Sequence, residues 1–267
     1  MKLLTFVSLA LVVVNAFCTV LPPNVRQRNV NVPIKRKPQE DKKFPYQVGI
    51  LLKDSESNES WCSGSLISEE FVLTAAHCVD EIEAATLYLG SPNRLSGEVT
   101  HEVSKTNFIL HPKWNSDYIE NDIALIRIPH TEYSENIKAV KLPSDNEAKS
   151  SYEHETVITS GWDHLFTTPN SLKNDLGWSF MPVISNQKCR EYFGTIVKDT
   201  NICIGSYGYL STCRGDTGGP LVLHSNMVQI GIASFRSSKD CKKGSASGFT
   251  RVTSYLNWIK SYANIVN

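Results

Sequence analysis

The sequence predicts an all-β fold, built as antiparallel barrels or a sandwich, with a C-terminal α-helix. Short runs of β-branched and aromatic residues recur between turn residues, a spacing typical of these folds. A stripe of apolar residues at helical spacing closes the chain. With 267 residues, 41% of them hydrophobic, the chain is long enough for one large β-domain or two small ones.

The predicted strands form two groups separated by a polar stretch at residues 144–151. Each strand is a short run rich in apolar β-formers and bounded by turn-forming residues. In the first group the runs are residues 46–52, 71–75, 85–89, 107–110 and 123–128. In the second group they are residues 155–159, 178–183, 221–223, 227–233 and 248–252.

The C-terminal helix is predicted from the side chains that repeat after the last strand. Tyr255, Ile259 and Tyr262 recur at helical spacing. The same stripe also includes Leu256, Trp258 and Ala263. We expect this apolar face to contact the protein core.

The first 43 residues are predicted to lie outside the folded domain. Residues 1–18 place Lys2 before an apolar run too short to span a bilayer, which is typical of a secretory signal peptide cleaved after Ala16 or Cys18. Residues 19–43 are rich in proline, lysine and arginine. They predict a binding arm, a processed propeptide or a flexible solvated N-terminus, and we favour the last. We therefore expect a soluble, secreted, extracellular protein whose folded part is residues 44–267.

Charge and cysteine content argue against several kinds of function. The 27 acidic and 27 basic residues balance, so no overall field favours a nucleic acid or a membrane as a partner. Apart from Cys18, six cysteines remain, an even set for disulfides in an oxidising compartment. No CxxC pair is present, so we expect no metal and no cofactor. Asn58 opens an Asn-Glu-Ser sequon and is a candidate glycosylation site with no catalytic role.

Three separated segments carry the residue types of an acyl-transfer site. They are Thr74-Ala75-Ala76-His77-Cys78, Asn121-Asp122-Ile123-Ala124-Leu125-Ile126 and Cys213-Arg214-Gly215-Asp216-Thr217-Gly218-Gly219-Pro220. Acyl transfer needs a nucleophile, a base that takes its proton and a carboxylate that orients the base. Taken singly, a histidine, an aspartate before a strand and a glycine-rich turn are usually structural. Their joint order, His, Asp, hydroxyl, matches one known solution.

At these residues the chain resembles the chymotrypsin-like serine protease family. The resemblance runs from Phe44 to the C-terminus and includes Phe44-Pro45-Tyr46-Gln47-Val48, Gly64-Ser65-Leu66 and Gly161-Trp162. It implies two antiparallel six-stranded β-barrels packed together, at about residues 44–145 and 146–267, with a C-terminal α-helix. It also implies a monomer whose partner is a protein or peptide, such as a protease or an inhibitor.

The resemblance also implies roles for individual residues. The catalytic positions are His77 as general base, Asp122 as its orienting partner and Thr217 as nucleophile, with the backbone N–H groups of Gly215 and Thr217 as the oxyanion hole. The substrate pocket has Ser211 at its base, Ser234, Phe235 and Arg236 along its entrance, and Gly248 on the opposite wall. The implied disulfides are Cys62–Cys78, Cys189–Cys203 and Cys213–Cys241.

The nucleophile is the first departure from an active member of the family. Thr217 stands where serine is expected, and its β-carbon carries a methyl group that restricts χ1. Pointing the hydroxyl at His77 would push this methyl group toward the oxyanion hole or the loop wall. Known threonine nucleophiles are activated by an N-terminal amine, a route closed to an internal residue.

Two further departures concern activation and specificity. Activation in the family frees an Ile-Val-Gly-Gly-like end that pairs with the aspartate before the nucleophile, here Asp216. The matching segment reads Pro33-Ile34-Lys35-Arg36-Lys37-Pro38, whose cations would be costly to bury. In the pocket, uncharged Ser211 implies that an active relative accepts large apolar side chains. Arg236 replaces a usual glycine and either obstructs entry or extends into solvent.

These departures predict a secreted serine protease homologue that has lost catalysis and acts by binding a protease, an inhibitor, a substrate or a surface. The alternative is a weakly active chymotrypsin-like endopeptidase that uses Thr217 with His77 and Asp122, because the base and its carboxylate are both retained. A third hypothesis is a threonine introduced to trap an enzyme, which would need a separate change in the activation segment.

Overall fold

The computed structural model describes residues 44–162, 174–205, 217–236, 246–263 and 265. All of them belong to one compact unit, Ile34–Asn267. The predicted signal peptide and basic arm lie outside the described residues. The same holds for five residues implied in the site, namely Ser211, Cys213, Gly215, Asp216 and Cys241.

The described residues are mostly β-structure. The strands are β1 (Gln47–Asp54), β2 (Glu59–Ser68), β3 (Phe71–Thr74), β4 (Ile82–Leu89), β5 (Val99–Ser104), β6 (Phe108–Leu110), β7 (Ala124–Arg127), β8 (Thr156–Gly161), β9 (Gly177–Ile184), β10 (Asn201–Ile204), β11 (Pro220–Leu223), β12 (Gln229–Arg236) and β13 (Ser247–Arg251). The α-helices are α1 (Ala76–Val79), α2 (Asn186–Phe193) and α3 (Leu256–Tyr262). Every strand pair in the two sheets is antiparallel.

The first sheet has seven strands in the order β5-β4-β1-β2-β3-β7-β6. It has one strand more than the resemblance implied, because a 3₁₀ turn at Lys105–Asn107 divides one long segment into β5 and β6. β5 pairs with β4 at one end of the sheet, and β6 pairs with β7 at the other. A single continuous segment therefore joins the two ends of the sheet into a half-barrel.

The second sheet is a closed six-stranded barrel in the order β10-β13-β12-β11-β8-β9. Its interior is filled by apolar side chains, among them Val157, Ile202 and Phe249, which are fully buried. This arrangement agrees with the fold class implied by the resemblance: a mostly β chymotrypsin-like fold with a short C-terminal helix. It places the strands that follow Thr217 inside a rigid, closed scaffold.

The C-terminal helix α3 follows a 3₁₀ turn at Val252–Tyr255. Leu256 and Ile259 are buried in the main hydrophobic cluster, as the apolar stripe predicted. The prediction is wrong for Tyr262, which is 44% exposed. Within the ranges that the structure describes, no helix has the length and hydropathy needed to cross a membrane.

Candidate active site

His77 lies on α1, a single helical turn that begins directly after β3. Its ring Nδ1 lies 2.7 Å from Oδ2 of Asp122, and its backbone N–H donates to Oδ1 of the same carboxylate at 3.0 Å. The two contacts fix both the position and the orientation of the imidazole. The side chain keeps 32% of its exposure, so one face of the ring is open to solvent or a ligand.

Asp122 is held immediately before β7 and is 1% exposed. Its carbonyl oxygen accepts a hydrogen bond from the Thr250 hydroxyl at 2.7 Å. The preceding residue, Asn121, has φ = 56°, a left-handed conformation that asparagine tolerates. The Asn121 side-chain oxygen accepts from the Tyr255 hydroxyl at 3.1 Å. Strand β13 and the turn before α3 thus hold the Asp122 backbone and the Asn121 side chain in place.

Ser234 completes the polar shell of this carboxylate. Its hydroxyl donates to Oδ2 of Asp122 at 2.5 Å. The resemblance implies that Ser234 lies along the pocket entrance, and the structure adds a contact that the sequence did not indicate, the hydrogen bond of its hydroxyl to Asp122. The physical reason is a register shift between Ala233 and Phe235 in the β12–β13 pairing, since a bulge re-aims a side chain. The sequence carries no local signal for such a bulge.

The electrostatics of His77 follow from its burial and its partner. Burial lowers the pKa of the imidazole, whereas the hydrogen bond with Asp122 and the negative charge of that carboxylate raise it. The two raising effects together outweigh burial, so the pKa of His77 lies above its ordinary value. The Asp122 carboxylate therefore stabilises the protonated form of the His77 imidazole, which general-base catalysis requires.

Thr217 is half-buried and opens the turn that leads into β11. Its carbonyl oxygen accepts a hydrogen bond from the backbone N–H of Ser63, on β2 of the first sheet, at 2.8 Å. The next residue, Gly218, has φ = 77°. A Cβ at Gly218 would lie 2.4 Å from the Thr74 hydroxyl oxygen and 2.5 Å from the Ser63 carbonyl oxygen. The backbone around Thr217 is therefore tightly confined.

The hydroxyl of Thr217 is not joined to His77. Among the hydrogen bonds of the described residues, none links the Thr217 Oγ1 to the His77 ring. The ring nitrogen Nε2 instead has a weak contact with Sγ of Cys78 at 3.9 Å, and that sulfur belongs to a disulfide. The base and its carboxylate are thus assembled, and the contact that would activate the nucleophile is missing from the described part.

Two of the pocket residues implied by the resemblance lie against each other. A Cβ at Gly248 would lie 2.2 Å from the ring of Phe235. The Phe235 ring therefore fills the space that this glycine leaves. Phe235 also packs edge-on against Phe193 at 5.2 Å. Arg236 is half-buried at the end of β12 and pairs in register with Ser247, which is 3% exposed and was not identified from the sequence.

Two of the three implied disulfides are present. Cys62 is bonded to Cys78, next to His77, and Cys189 is bonded to Cys203. The third, Cys213–Cys241, falls on residues outside those described. The candidate glycosylation residue Asn58 is exposed at the β1–β2 turn, where its amide donates to Asp54 at 2.9 Å.

Comparisons with known proteins extend over the whole of this arrangement. The profile of the family described as Trypsin matches residues 33–259. Collagenase from Hypoderma lineatum is 38% identical over 84% of this chain and 84% of its own length. Brachyurin from Leptuca pugilator is 37% identical over 83% of this chain and 94% of its own length.

Solved structures give the same result. A structure described as HL collagenase at 1.7 Å resolution covers 84% of this chain and 95% of its own chain, with a TM-score of 0.77 and 37% sequence identity. The Trypsin profile match includes His77, Asp122 and Thr217 within its bounds. The similarity therefore spans both sheets and all three candidate catalytic positions.

Proposed function

Because this chain belongs to the trypsin family of serine proteases, we propose that it is a secreted protease homologue that binds a protein or peptide without cleaving it. The observation that carries the proposal is Thr217 at the nucleophile position, with no hydrogen bond to His77 among the described residues. A nucleophile that is not joined to its base is not activated. One relative reported above is named a collagenase, a name that refers to a polypeptide substrate, and this supports a ligand cleft suited to polypeptide.

The surroundings of Thr217 explain why the loop does not simply adjust to the extra methyl group. The Ser63 N–H holds the Thr217 carbonyl at 2.8 Å, and the N–H of Gly218 donates to the Ala233 carbonyl at 2.9 Å. Both hydrogen bonds fix the backbone to strands of the two sheets. The β-branched side chain has few χ1 states available, so the hydroxyl cannot turn freely toward the base.

The loss of rate has a rough upper bound. Removing the nucleophile of a triad protease outright lowers turnover by about a millionfold. A hydroxyl that is present and misdirected should lower turnover by less than that.

We propose a second cause of inactivity in the N-terminal segment, where Lys35, Arg36 and Lys37 stand in place of the small residues that thread inward to Asp216 in the family. Burying these cations without partners would cost more than it gains.

The alternative function is weak proteolysis of the chymotrypsin type, and one observation favours it. Asp122 still accepts from the His77 backbone, lies 2.7 Å from the His77 ring and accepts from Ser234. This set orients the base and stabilises its protonated form. An enzyme of this kind would cleave after large apolar residues, given the uncharged Ser211 implied at the pocket base.

One experiment separates the two functions. The purified mature protein, Thr217→Ser and Thr217→Ala are each incubated with a fluorophosphonate probe and with an apolar-residue peptide amide. We expect no labelling and no turnover in the unaltered protein, with Thr217→Ala as the background. Robust labelling of the unaltered protein would overturn the proposal. Activity in Thr217→Ser alone would locate the fault in the nucleophile and refute the argument from the N-terminal segment, whereas silence from both would support two causes.

Binding needs its own measurement. Calorimetric titration of the unaltered protein with a non-cleavable apolar peptide should give saturable binding, which an excess of free phenylalanine amide does not abolish. Absence of binding to any polypeptide ligand would contradict the proposed binding role.

Secretion is tested by sequencing the N-terminus of the protein isolated from culture medium. A mass shift removed by an amidase specific for N-linked glycans, and absent in Asn58→Gln, would identify a glycan at Asn58.

A further inference from the structure

Asn121, the residue before Asp122, has a backbone conformation that bears directly on the site. Its φ is 56°, in the left-handed region that is uncommon for residues other than glycine, although asparagine tolerates it. The Asn121 carbonyl oxygen accepts from the backbone N–H of Ile123 at 2.8 Å, which closes a three-residue γ-turn with Asp122 at its centre. The direction in which the Asp122 side chain leaves the backbone therefore depends on the conformation of Asn121.

The side chain of Asn121 is hydrogen-bonded at both ends of its amide group. The amide nitrogen Nδ2 donates to the carbonyl oxygen of Lys113 at 2.8 Å, and Oδ1 accepts from the Tyr255 hydroxyl at 3.1 Å. Lys113 lies only eight residues before Asn121, whereas Tyr255 lies 134 residues after it, in the turn before α3. Tyr255 thus ties Asn121 to a distant part of the chain.

The surroundings of Tyr255 keep its hydroxyl in place and protonated. The residue is 5% exposed, and its ring packs edge-on against His111, with centroids 5.2 Å apart. Burial raises the pKa of the hydroxyl above its ordinary value. A hydrogen bond with the Thr200 side chain acts against this shift, and the negative charges of Asp122 and Glu120 add to it. The hydroxyl therefore remains a hydrogen-bond donor over the pH range in which histidine titrates.

We propose that Tyr255 is a positioning residue for the pair formed by Asp122 and His77. Its hydroxyl holds Asn121 in the left-handed conformation. The γ-turn passes this constraint to Asp122, whose carboxylate lies 2.7 Å from Nδ1 of His77. The effect of Tyr255 on the base therefore passes through Asn121 and Asp122. The inference is independent of whether Thr217 catalyses any reaction, so it can fail while the proposed function stands.

Removal of a single oxygen atom tests the proposal. Tyr255→Phe keeps the ring and loses only the hydroxyl, and proton NMR then follows two signals of His77, assigned by comparison with His77→Gln. One is the titrating ring C–H signal, and the other is the low-field signal of the ring Nδ1–H beside Asp122. We expect the pKa of His77 to fall and the low-field signal to broaden or disappear, because the carboxylate is held less firmly against the ring. The fall should be smaller than in Asp122→Asn, where the charge itself is lost.

Two further variants serve as controls. Tyr46 is 4% exposed, and its hydroxyl has no hydrogen-bond partner among the described residues, so Tyr46→Phe should leave both signals of His77 unchanged. Asn121→Gly still allows the left-handed conformation but removes both side-chain hydrogen bonds. Adding Tyr255→Phe to Asn121→Gly should therefore change the pKa of His77 no further. Thermal unfolding midpoints establish that all variants are folded.

Three results would overturn the proposal. One is an unchanged pKa and low-field signal of His77 in Tyr255→Phe. Another is an equal change in Tyr46→Phe, which would mean that loss of any buried hydroxyl disturbs the base. The third is a full additional fall in the pKa when Tyr255→Phe is added to Asn121→Gly, which would show that Tyr255 acts on His77 without Asn121.

A second measurement uses only the unaltered fold. The side-chain Nδ2–H signals of Asn121 are assigned by their absence in Asn121→Gly. In the unaltered protein one of them should exchange slowly with water, because Nδ2 donates to the Lys113 carbonyl oxygen. Fast exchange of both protons would refute the hold on Asn121 even if Tyr255→Phe fails to fold.

Discussion

Replacing Asp122 with asparagine changes the charge beside His77 and little else. Asparagine has the same size, and its side-chain oxygen can still accept the His77 backbone N–H, now bonded at 3.0 Å. The charge 2.7 Å from Nδ1 is lost. In the native protein burial lowers the pKa of His77 and Asp122 raises it by more. In Asp122→Asn only the lowering effect remains, so the pKa should fall below its ordinary value of about 6.5.

The geometry sets the direction of this fall. A carboxylate within hydrogen-bonding distance favours the protonated imidazole, and this effect is lost in Asp122→Asn. The His77 side chain is 32% exposed, so solvent weakens the interaction without cancelling it, and the pKa of His77 should still fall measurably. Proton NMR titration of the histidine C–H signals measures it directly.

The same substitution alters how stability depends on pH. A group whose pKa is raised in the folded state stabilises the fold fully below its unfolded pKa, and loses this contribution as the pH rises through the folded value. The contribution of His77 should therefore be present below about pH 6.5 in the native protein and decline above it. In Asp122→Asn the folded-state pKa of His77 should lie below the unfolded value, so the protein should lose stability as the pH falls through this range. An unchanged His77 titration midpoint in Asp122→Asn would refute this account of the site.

Three other substitutions test the packing around the site. Ser234→Ala should lower the free energy of unfolding, measured by urea denaturation, by about 1–3 kcal/mol, because the buried Asp122 carboxylate loses a hydrogen bond. Ser234→Thr keeps a hydroxyl and should lower the free energy of unfolding by less. Gly218→Ala should cost about 3 kcal/mol by the same measurement, since φ is 77° and no space exists for a Cβ, and a neutral result would contradict the confined loop. Gly248→Ala should destabilise the native protein by about 1–3 kcal/mol, because the new methyl group meets the Phe235 ring. The same substitution should be nearly neutral in a Phe235→Ala background. If the effects of the two substitutions simply add, the ring does not fill the space at Gly248.

Most strands could be predicted from sequence because their apolar runs are short and clearly bounded. The predicted runs at residues 46–52 and 178–183 overlap β1 (Gln47–Asp54) and β9 (Gly177–Ile184). Strands β2, β5 and β10 were not predicted. β5 reads Val-Thr-His-Glu-Val-Ser and buries only one of its six residues, so its pattern is mostly polar. β2 contains Gly64, where a Cβ would lie 2.8 Å from Val72, a packing requirement that propensity does not express.

The site was predictable where the family resemblance assigns a role to a residue. The resemblance implied that Asp122 orients His77, and the two side chains meet although they are separated along the chain. The role of Ser234 was not predictable, because it depends on a register shift between two strands of the barrel. The filling of the space at Gly248 was also missed, since the sequence does not indicate which ring occupies the room that a glycine leaves.

The segment that runs from β5 through the 3₁₀ turn to β6 has a consequence for aggregation. A flat sheet with two open edges offers rows of unpaired backbone groups to other chains, which promotes aggregation. Here β5, at one end of the sheet, continues through the turn into β6, which pairs with β7 at the other end. The strands left at the two ends of the sheet are therefore short, with six residues in β5 and three in β6, and offer little backbone as a template for another chain. A proline in the turn at Lys105–Asn107 that separates β5 from β6 would be expected to raise the tendency of the protein to form fibrils.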